Sequence, residues 1–190
     1  MKSESIPTFC PKSQKDWRAW LRKNHKSSQS VWLILYKKSA NTPTVNWSDA
    51  VDQALCFGWI DGKRLSMSDE KFMQFFSKRK PKSTWSKINK EKVERLIQKR
   101  LMTKAGYEAI ELSKQNGSWN VLDDVEDLKI PKDLEDAFKS NAGTKKVFLS
   151  TSPSIKKLLL TKLMFAKRPE TRKTRIAEII ALSRQKHVKK

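Results

Sequence analysis

The chain has 190 residues, 37% of them hydrophobic, and a formal net charge of +21 at pH 7. This length suits one domain, or one domain with an appendage, and is sufficient to bury a core. The apolar runs are short and the amino terminus lacks the apolar core of a signal peptide, so the sequence predicts no transmembrane segment and a cytoplasmic location. The cysteines Cys10 and Cys56 and the histidines His25 and His187 predict neither a disulfide framework nor a zinc site.

The positive charge is unevenly distributed along the chain. Lysine and arginine exceed aspartate and glutamate by 4 in residues 1–62, by 10 in 63–104 and by 12 in 141–190, whereas acidic residues exceed basic ones by 5 in 105–140. Such a field attracts nucleic acid, anionic lipid or acidic partners. A lysine-rich surface that only maintains solubility is the alternative explanation.

The first third of the chain predicts a helix, a buried strand and a second helix. Ser13 and Asp16 resemble a capping box, which opens a helix that ends near Asn24. Residues 30–38 are apolar at both alternating sets of positions, as expected of a strand buried on both faces. The helix that follows is expected to end at Gly58, a typical glycine position just past a helix.

Residues 59–67 and 71–79 alternate in the manner of two strands of a β-hairpin. In the first strand, one face is expected to carry Trp59, Asp61, Lys63, Leu65 and Met67, and the other Ile60, Gly62, Arg64 and Ser66. From residue 83 the pattern is helical, interrupted by the acidic stretch 123–127, which we interpret as a linker.

The sequence therefore predicts an α+β protein. It has a small, mainly antiparallel sheet of about three strands, flanked by helices and followed by a helical C-terminal part. The expected domains are an α+β domain at residues 1–122, with the CFGWIDG and WSKIN motifs, and a helical region at 131–190 packed on it.

Several strings of residues carry a family resemblance. They are ALCFGWIDG at 54–62, STWSKIN at 83–89, ERLI at 94–97, PKDL at 131–134 and AKRPETRKTRI at 166–176. In these strings the chain resembles the YdeI/OmpD-associated family, also called bacteriocin-protection proteins, over nearly its whole length. The resemblance implies a role in protection against bacteriocins or envelope stress, and it implies no catalytic mechanism. The chain departs from the family pattern at 77–80, where SKRK replaces a common Thr-Pro-Arg run, and at 100–102.

A candidate binding cleft follows from the predicted hairpin. If the helix ends at Gly58 and the two strands pair, Trp59 and Asp61 lie at the same end of the sheet as Arg79. Backbone N–H groups at the start of the next helix would be available to an anion. An anionic small molecule or an acidic partner is therefore the expected ligand. The candidate ligand-binding residues are Trp59, Asp61, Arg79, Lys80, Trp85, Ser86 and Asn89, which Lys37 and Lys38 could join from the end of the central strand.

Each of these residues also has a structural explanation. The tryptophans are more often core residues than stacking platforms, and Asp61 before Gly62 can serve only to shape the strand start. Ser86 and Asn89 are as typical of helix caps as of ligands. The convergence of the residues favours a site, and alanine at Arg79 and Trp85 is expected to abolish binding while thermal stability stays nearly intact.

The sequence predicts no enzyme, no catalytic residue, no metal and no cofactor. A nucleophilic Cys56 would need a base, for which His25 is the interior candidate, and a buried inert thiol is the more common case. The two glycines at 58 and 62 do not make a phosphate-binding loop.

The alternative function is nucleic-acid binding through two basic helices. Their cations are Lys90, Lys92, Arg95, Lys99 and Arg100 in the first and Arg172, Lys173 and Arg175 in the second. The chain has no helix-turn-helix, RNA-recognition or cold-shock signature, so a solvated basic surface is the favoured explanation of both helices.

Overall fold

The computed structural model describes residues 6–185, so His187 lies outside the described residues. The chain divides into two compact units, the first ending at Asn120 and the second beginning at Val121. The predicted α+β class is confirmed: the first unit contains a four-stranded sheet with helices, and the described part of the second unit is helical. Within the described range, no helix is both long and apolar enough to cross a bilayer.

The two units differ in their secondary structure. The first unit contains β1 (Thr8–Phe9), α1 (Gln14–Asn24), β2 (Ser30–Tyr36), a 3-10 turn (Lys38–Ala40), α2 (Trp47–Cys56), β3 (Trp59–Ser66), β4 (Lys71–Lys78), α3 (Lys87–Gln98) and α4 (Lys104–Gln115). The second contains α5 (Asp123–Glu126), α6 (Lys132–Lys139), α7 (Thr144–Ser150), α8 (Pro153–Met164) and α9 (Pro169–Gln185). The predicted linker at 123–127 is wrong in part, because α5 forms there and its Val125 is buried in the core of the second unit.

The sheet has the strand order β1-β2-β4-β3. The first pair is parallel and the other two are antiparallel, so β2 and β3 run in the same direction on either side of β4. Ser30 pairs with Ser77 and Trp59 pairs with Lys78 at one end of the sheet. The starts of β2 and β3 and the end of β4 therefore lie together.

A β-bulge interrupts β3. Asp61 pairs with Phe76 and Arg64 pairs with Gln74, so three steps along β3 match two along β4. The side-chain amide of Gln74 donates a hydrogen bond of 2.7 Å to the carbonyl of Gly62, which the bulge removes from the regular pairing. The predicted alternation is wrong beyond this point, because Arg64 lies on the same face as Asp61 and Leu65 lies on the opposite face.

Helices α1 and α2 cover one face of the sheet, which we call the inner face. The inner-face core includes Trp17, Leu33, Leu55, Trp59 and Phe76, all buried. The indole N–H of Trp17 donates to the carbonyl of Ala50 at 3.0 Å, which ties α1 to α2. Burial of each large apolar side chain contributes roughly 1.5–3 kcal/mol to folding.

The opposite face, which we call the outer face, carries a different set of side chains. Trp32, Ile34 and Tyr36 of β2 project there with Met73 and Phe75 of β4, and all five are partly exposed. None of the five belongs to either buried core cluster of the described residues.

Helix α4 approaches the junction between α2 and β3 closely. Gly58 has a φ of +72°, and a Cβ atom there would lie 2.8 Å from the carbonyl oxygen of Ala105. A Cβ atom on Gly106 would collide with the carbonyl of Cys56. The two glycines therefore allow the first turn of α4 to rest against the end of α2.

A nearly buried ion pair joins α3 to α2. The carboxylate of Asp52 accepts hydrogen bonds from Lys92 and Arg95, and the ammonium of Lys92 also donates to the Ser48 hydroxyl at 2.8 Å. The side chains of Asp52 and Lys92 are each only 11% exposed.

Replacing Asp52 by alanine is expected to lower the free energy of unfolding by about 3 kcal/mol, because Lys92 would remain buried without its counter-charge. Denaturant unfolding followed by circular dichroism measures the loss. The matched control is Asp69→Ala in the exposed turn before β4, which is expected to change stability by less than about 0.5 kcal/mol. Equal losses in the two variants would contradict the assigned role of the pair.

The second unit contains its own core and a two-point ion pair. Its buried residues include Leu134, Phe138, Phe148, Leu160 and Leu163. The guanidinium of Arg172 donates to both carboxylate oxygens of Asp133, and also to the carbonyl of Leu163 at 2.9 Å. The hydrogen bonds from Arg172 lower the pKa of Asp133 below its ordinary value.

The Asp133 pair is expected to make the second unit less stable in acid. Because the folded pKa of Asp133 is lowered, its contribution is present above the unfolded pKa of about 3.9 and is lost as pH falls through the folded pKa. Both side chains are partly in water, so the contribution is expected to be below about 1 kcal/mol. A carboxyl NMR titration measures the pKa of Asp133 directly. Arg172→Met should return that pKa to its ordinary range, and an unchanged titration would contradict the assignment.

Candidate functional site

A basic groove opens at the end of the sheet where β3 begins and β4 ends. Two cavities of about 400 and 310 Å³ adjoin there and share His25, Lys26, Phe57, Ala105 and Glu108 in their walls. The lysines, arginines and carboxylates in the walls are Arg22, Lys26, Lys78, Arg79, Lys104 and the single carboxylate Glu108. We refer to these two cavities together as the basic groove.

Four segments hold the walls of the groove. His25 follows α1, with its Nδ1 2.9 Å from the Leu21 carbonyl and its ring 5.2 Å from the Phe57 ring. The ammonium of Lys78, at the end of β4, donates to the carbonyl of Lys26 at 2.7 Å. The hydroxyl of Thr103, just before α4, donates to the carbonyl of Cys56 at 2.7 Å. These hydrogen bonds join the end of β4 to the segment after α1, and the start of α4 to the end of α2.

Arg79 is held in the groove wall by contacts on three sides. Its backbone N–H donates to the Gly58 carbonyl at 3.0 Å, and its Nη1 donates to the Thr84 carbonyl at 3.2 Å. Its guanidinium carbon lies 3.5 Å from the ring centre of Trp85. Burial lowers the pKa of Arg79 to about 10, against the opposing effect of Asp61. The side chain therefore remains a cation at neutral pH.

Two buried N–H donors in the groove wall have no hydrogen-bond partner among the described residues. They are the indole Nε1 of Trp59 and the Nε of Arg79, and both residues are among those that line the smaller cavity. A buried donor without a partner costs about 1–3 kcal/mol. An acceptor oxygen in the groove would remove this cost.

The start of α4 adds a further positive feature. Thr103 precedes the helix without capping its first turn by a side-chain hydrogen bond. Ala105, in that first turn, lines both cavities. The N-terminal end of a helix carries a partial positive charge that favours an anion.

The structure brings Trp59, Asp61, Arg79 and Trp85 into one neighbourhood. Asp61 is partly buried on the inner face, where it accepts a hydrogen bond of 3.1 Å from the Trp47 indole. Lys80 is exposed just after Arg79.

Trp85 has a structural position that contradicts its predicted role. Its side chain is only 1% exposed and packs against Trp119 at 4.9 Å, so it supports Arg79 from beneath and offers no free ring face to a ligand. Replacing it by alanine would cost about 3–5 kcal/mol of stability. The expectation that thermal stability survives the change is therefore wrong for Trp85.

Ser86 and Asn89 serve a helix end. The hydroxyl of Ser86 accepts a hydrogen bond of 3.4 Å from the backbone N–H of Asn89 and thereby caps α3. This is the structural explanation of the two residues, and neither lines the basic groove.

Lys37 and Lys38 lie at the other end of the sheet, so the idea that they join Arg79 is wrong. Tyr36, just before them, pairs with Lys71 at the hairpin turn. A strand rises about 3.3 Å per residue, which places the two ends of β2 roughly 20 Å apart. The two lysines line a separate cavity of about 510 Å³.

Most of the groove wall was not predicted from the sequence, including Arg22, Lys26, Lys78 and the start of α4. The sequence nevertheless contains an indication of some of these residues. The basic residues that end α1 come just before β2, and a β2 that runs parallel to β3 must begin at the same end of the sheet.

Cys56 lies in the core rather than in the groove. It is fully buried, and burial raises the pKa of its thiol, opposed by Arg18. The His25 ring packs on Phe57. Among the described residues, no group of three or more His, Cys, Asp or Glu side chains could hold a metal ion.

The two cysteines are expected to differ sharply in reactivity. At about pH 8 the native protein should react with a disulfide reagent at the exposed Cys10, while Cys56 stays protected by burial and by its raised pKa. Counting thiols with and without denaturant measures this. The Cys10→Ser variant should show no fast-reacting thiol in the native state, and rapid labelling of that variant would contradict the burial of Cys56.

Several cations of the two basic helices are engaged in internal ion pairs. Lys92 and Arg95 of α3 bind Asp52, and Arg172 of α9 binds Asp133. Arg175 pairs with Glu178 at 2.8 Å. These helices therefore offer a nucleic acid less free charge than their sequences indicate.

Two family models match separate parts of the chain. Residues 127–186 match the family described as "Bacteriocin-protection, YdeI or OmpD-Associated". The second unit is therefore similar to the YdeI/OmpD-associated family over these residues. Residues 9–109, slightly more than half of the chain, match the "Domain of unknown function (DUF8412)". The chain belongs to that DUF8412 family.

The resemblance drawn from the sequence is confirmed over residues 127–186. The strings at 131–134 and 166–176 fall within this range, whereas those at 54–62, 83–89 and 94–97 fall within the DUF8412 region. No curated protein and no solved structure matches the chain.

Proposed function

We propose that this protein is a non-enzymatic binding protein that holds a small anionic molecule in the basic groove. The observation that carries the proposal is that two residues lining the smaller cavity, Trp59 and Arg79, each carry a buried N–H donor, Nε1 and Nε, without a partner among the described residues. An anionic oxygen accepts hydrogen bonds from both donors more strongly than a neutral acceptor does.

The charge balance of the groove supports an anion over a cation or a neutral ligand. Arg22, Lys26, Lys78, Arg79 and Lys104 line it with one carboxylate. That carboxylate, Glu108, lies 3.9 Å from Lys104, so its negative charge is partly compensated. The first turn of α4 adds to the positive potential. The cavity volumes suit a small molecule.

The position of Arg79 supports a defined ligand geometry. Trp85 covers one face of its guanidinium, and the Thr84 carbonyl accepts from Nη1. The edge that carries Nε retains a free donor. A planar guanidinium held in this way presents a fixed edge to a phosphate or carboxylate group. Binding there would raise the pKa of Arg79 back toward its ordinary value.

An NMR titration with inorganic phosphate tests the proposal. The protein is labelled with ¹⁵N at tryptophan, and the indole N–H signals are followed while phosphate is added at constant ionic strength. A titration with chloride in place of phosphate serves as the control. The Trp59 signal is expected to shift with saturation, because its N–H gains an acceptor. The Trp47 signal is expected to remain fixed, because its indole already donates to Asp61. Equal, non-saturating shifts of all indole signals would contradict a specific site.

Two matched variants test whether phosphate binds in the basic groove. Lys26→Glu reverses a charge in the groove wall and is expected to weaken phosphate binding by about tenfold or more. Lys99→Glu makes the same charge change at an exposed position after α3 and outside the groove, and is expected to have little effect. Equal weakening by both variants would assign the binding to net charge rather than to the groove.

We extend the proposal to a cytoplasmic role in protection against bacteriocins or envelope stress. The description of the matched YdeI/OmpD-associated family supports the role, and the exposed free thiol of Cys10 is compatible with a reducing compartment. A strain without the gene is expected to be more sensitive to a bacteriocin, and the wild-type gene and Lys99→Glu should restore tolerance. Restoration by Lys26→Glu as well would separate the phenotype from the groove.

A further inference from the structure

The outer face of the sheet is an aromatic surface that the basic groove does not use. Trp32 of β2 lies directly opposite Phe75 of β4, and Tyr36 lies opposite Lys71. The Trp32 and Phe75 rings are 5.1 Å apart and meet edge to face. Aromatic side chains that remain partly exposed on neighbouring strands give flat ring surfaces at one level of the sheet.

The β-bulge in β3 places a cation on this surface. Because the bulge inserts an extra residue between Asp61 and Arg64, the Lys63 side chain reaches the outer face. Its ammonium lies 5.4 Å from the ring centre of Trp32. A regular strand would have directed Lys63 toward the inner face with Asp61.

Gly62 leaves the Phe75 ring uncovered from the side of β3. A Cβ atom at this position would lie 3.2 Å from Cδ1 of Phe75, which is closer than most van der Waals contacts. Any side chain at residue 62 would therefore cover part of the ring. The absence of one keeps the ring accessible beside Lys63.

The charge of the outer face is positive. The outward residues of β2 and β4 include Lys71 and no carboxylate, and Lys63 of β3 adds a second cation. Residues 1–120 as a whole carry 13 more lysines and arginines than aspartates and glutamates. A polyanion is attracted to such a surface.

We propose that the outer face of the sheet binds single-stranded nucleic acid. Unpaired bases stack on Trp32, Phe75 and Tyr36, while the phosphates contact Lys63 and Lys71. Single strands fit this surface because their bases are free to stack on protein rings, whereas the bases of a duplex are already stacked on one another. The interleaving of rings and lysines matches the alternation of bases and phosphates. This site is independent of the basic groove and does not rest on anion binding there.

Fluorescence anisotropy with labelled oligonucleotides of about twelve nucleotides tests the proposal on the full chain. The same mixed sequence is offered as single-stranded RNA, as single-stranded DNA and as a duplex, over a range of salt concentrations. Saturable binding that prefers the single strands and weakens linearly in log K against log[salt] is expected. The RNA and DNA arms show whether the 2′-hydroxyl contributes. A duplex bound as tightly as the single strands would overturn the proposal.

Matched variants separate the outer face from general charge. Trp32→Ala and Lys63→Glu are each expected to weaken binding by about tenfold, since stacking of each base contributes measurably and Lys63 lies over the ring. Tyr107→Ala removes a 46% exposed aromatic from α4, and Lys99→Glu reverses an exposed charge after α3. These two controls are expected to bind like the wild type. Equal losses in controls and outer-face variants would overturn the proposal.

A variant that covers the Phe75 ring tests whether weaker binding arises from loss of folding. Gly62→Ser keeps every ring and every charge but places atoms against Phe75, so it should also weaken binding while the circular dichroism spectrum remains unchanged. Anionic phospholipid vesicles and an acidic peptide are tested in parallel. If Trp32→Ala abolishes binding to one of these and leaves oligonucleotide binding intact, the face belongs to that partner and the proposal fails.

Discussion

Gly58 has a left-handed backbone conformation and lies between the end of α2 at Cys56 and the start of β3 at Trp59. Its N–H donates to the carbonyl of Leu55 at 3.1 Å, which closes the helix. Its carbonyl accepts a hydrogen bond of 3.0 Å from the backbone N–H of Arg79, which fixes the end of β4. The missing side chain admits the first turn of α4. The basic groove exists because three segments meet at this point, and a side chain larger than hydrogen would separate them.

Local chemistry made much of this arrangement predictable. Ser13 caps α1 through a side-chain hydrogen bond, and the glycine after α2 stops that helix, both of which depend on nearby residues alone. The hairpin and the placement of Arg79 near Trp59 followed from the same reasoning. The bulge could not be predicted, because it depends on how the Gln74 side chain compensates the carbonyl of Gly62 across the hairpin.

The candidate site was predictable only in part, because burial is a property of the whole fold. Trp85 is a core residue because Trp119, 34 positions later, packs on its ring. Lys37 was placed at the wrong end of the sheet because strand direction does not appear in the alternation of apolar residues. The role of a cation could not be predicted for the same reason. Lys92 and Arg172 neutralise buried or half-buried carboxylates, whereas Lys26 lines a groove. The sequence around each of these residues does not distinguish the two roles.

The bulge at Gly62 and Lys63 affects the tendency of the protein to aggregate through the edge of its sheet. β3 is an edge strand, and its free edge could in principle add a strand from another chain. An irregular backbone with Lys63 and Arg64 beside it breaks the even row of N–H and C=O groups that such pairing requires. The same local irregularity that shapes the outer face therefore also protects the protein against edge-to-edge aggregation.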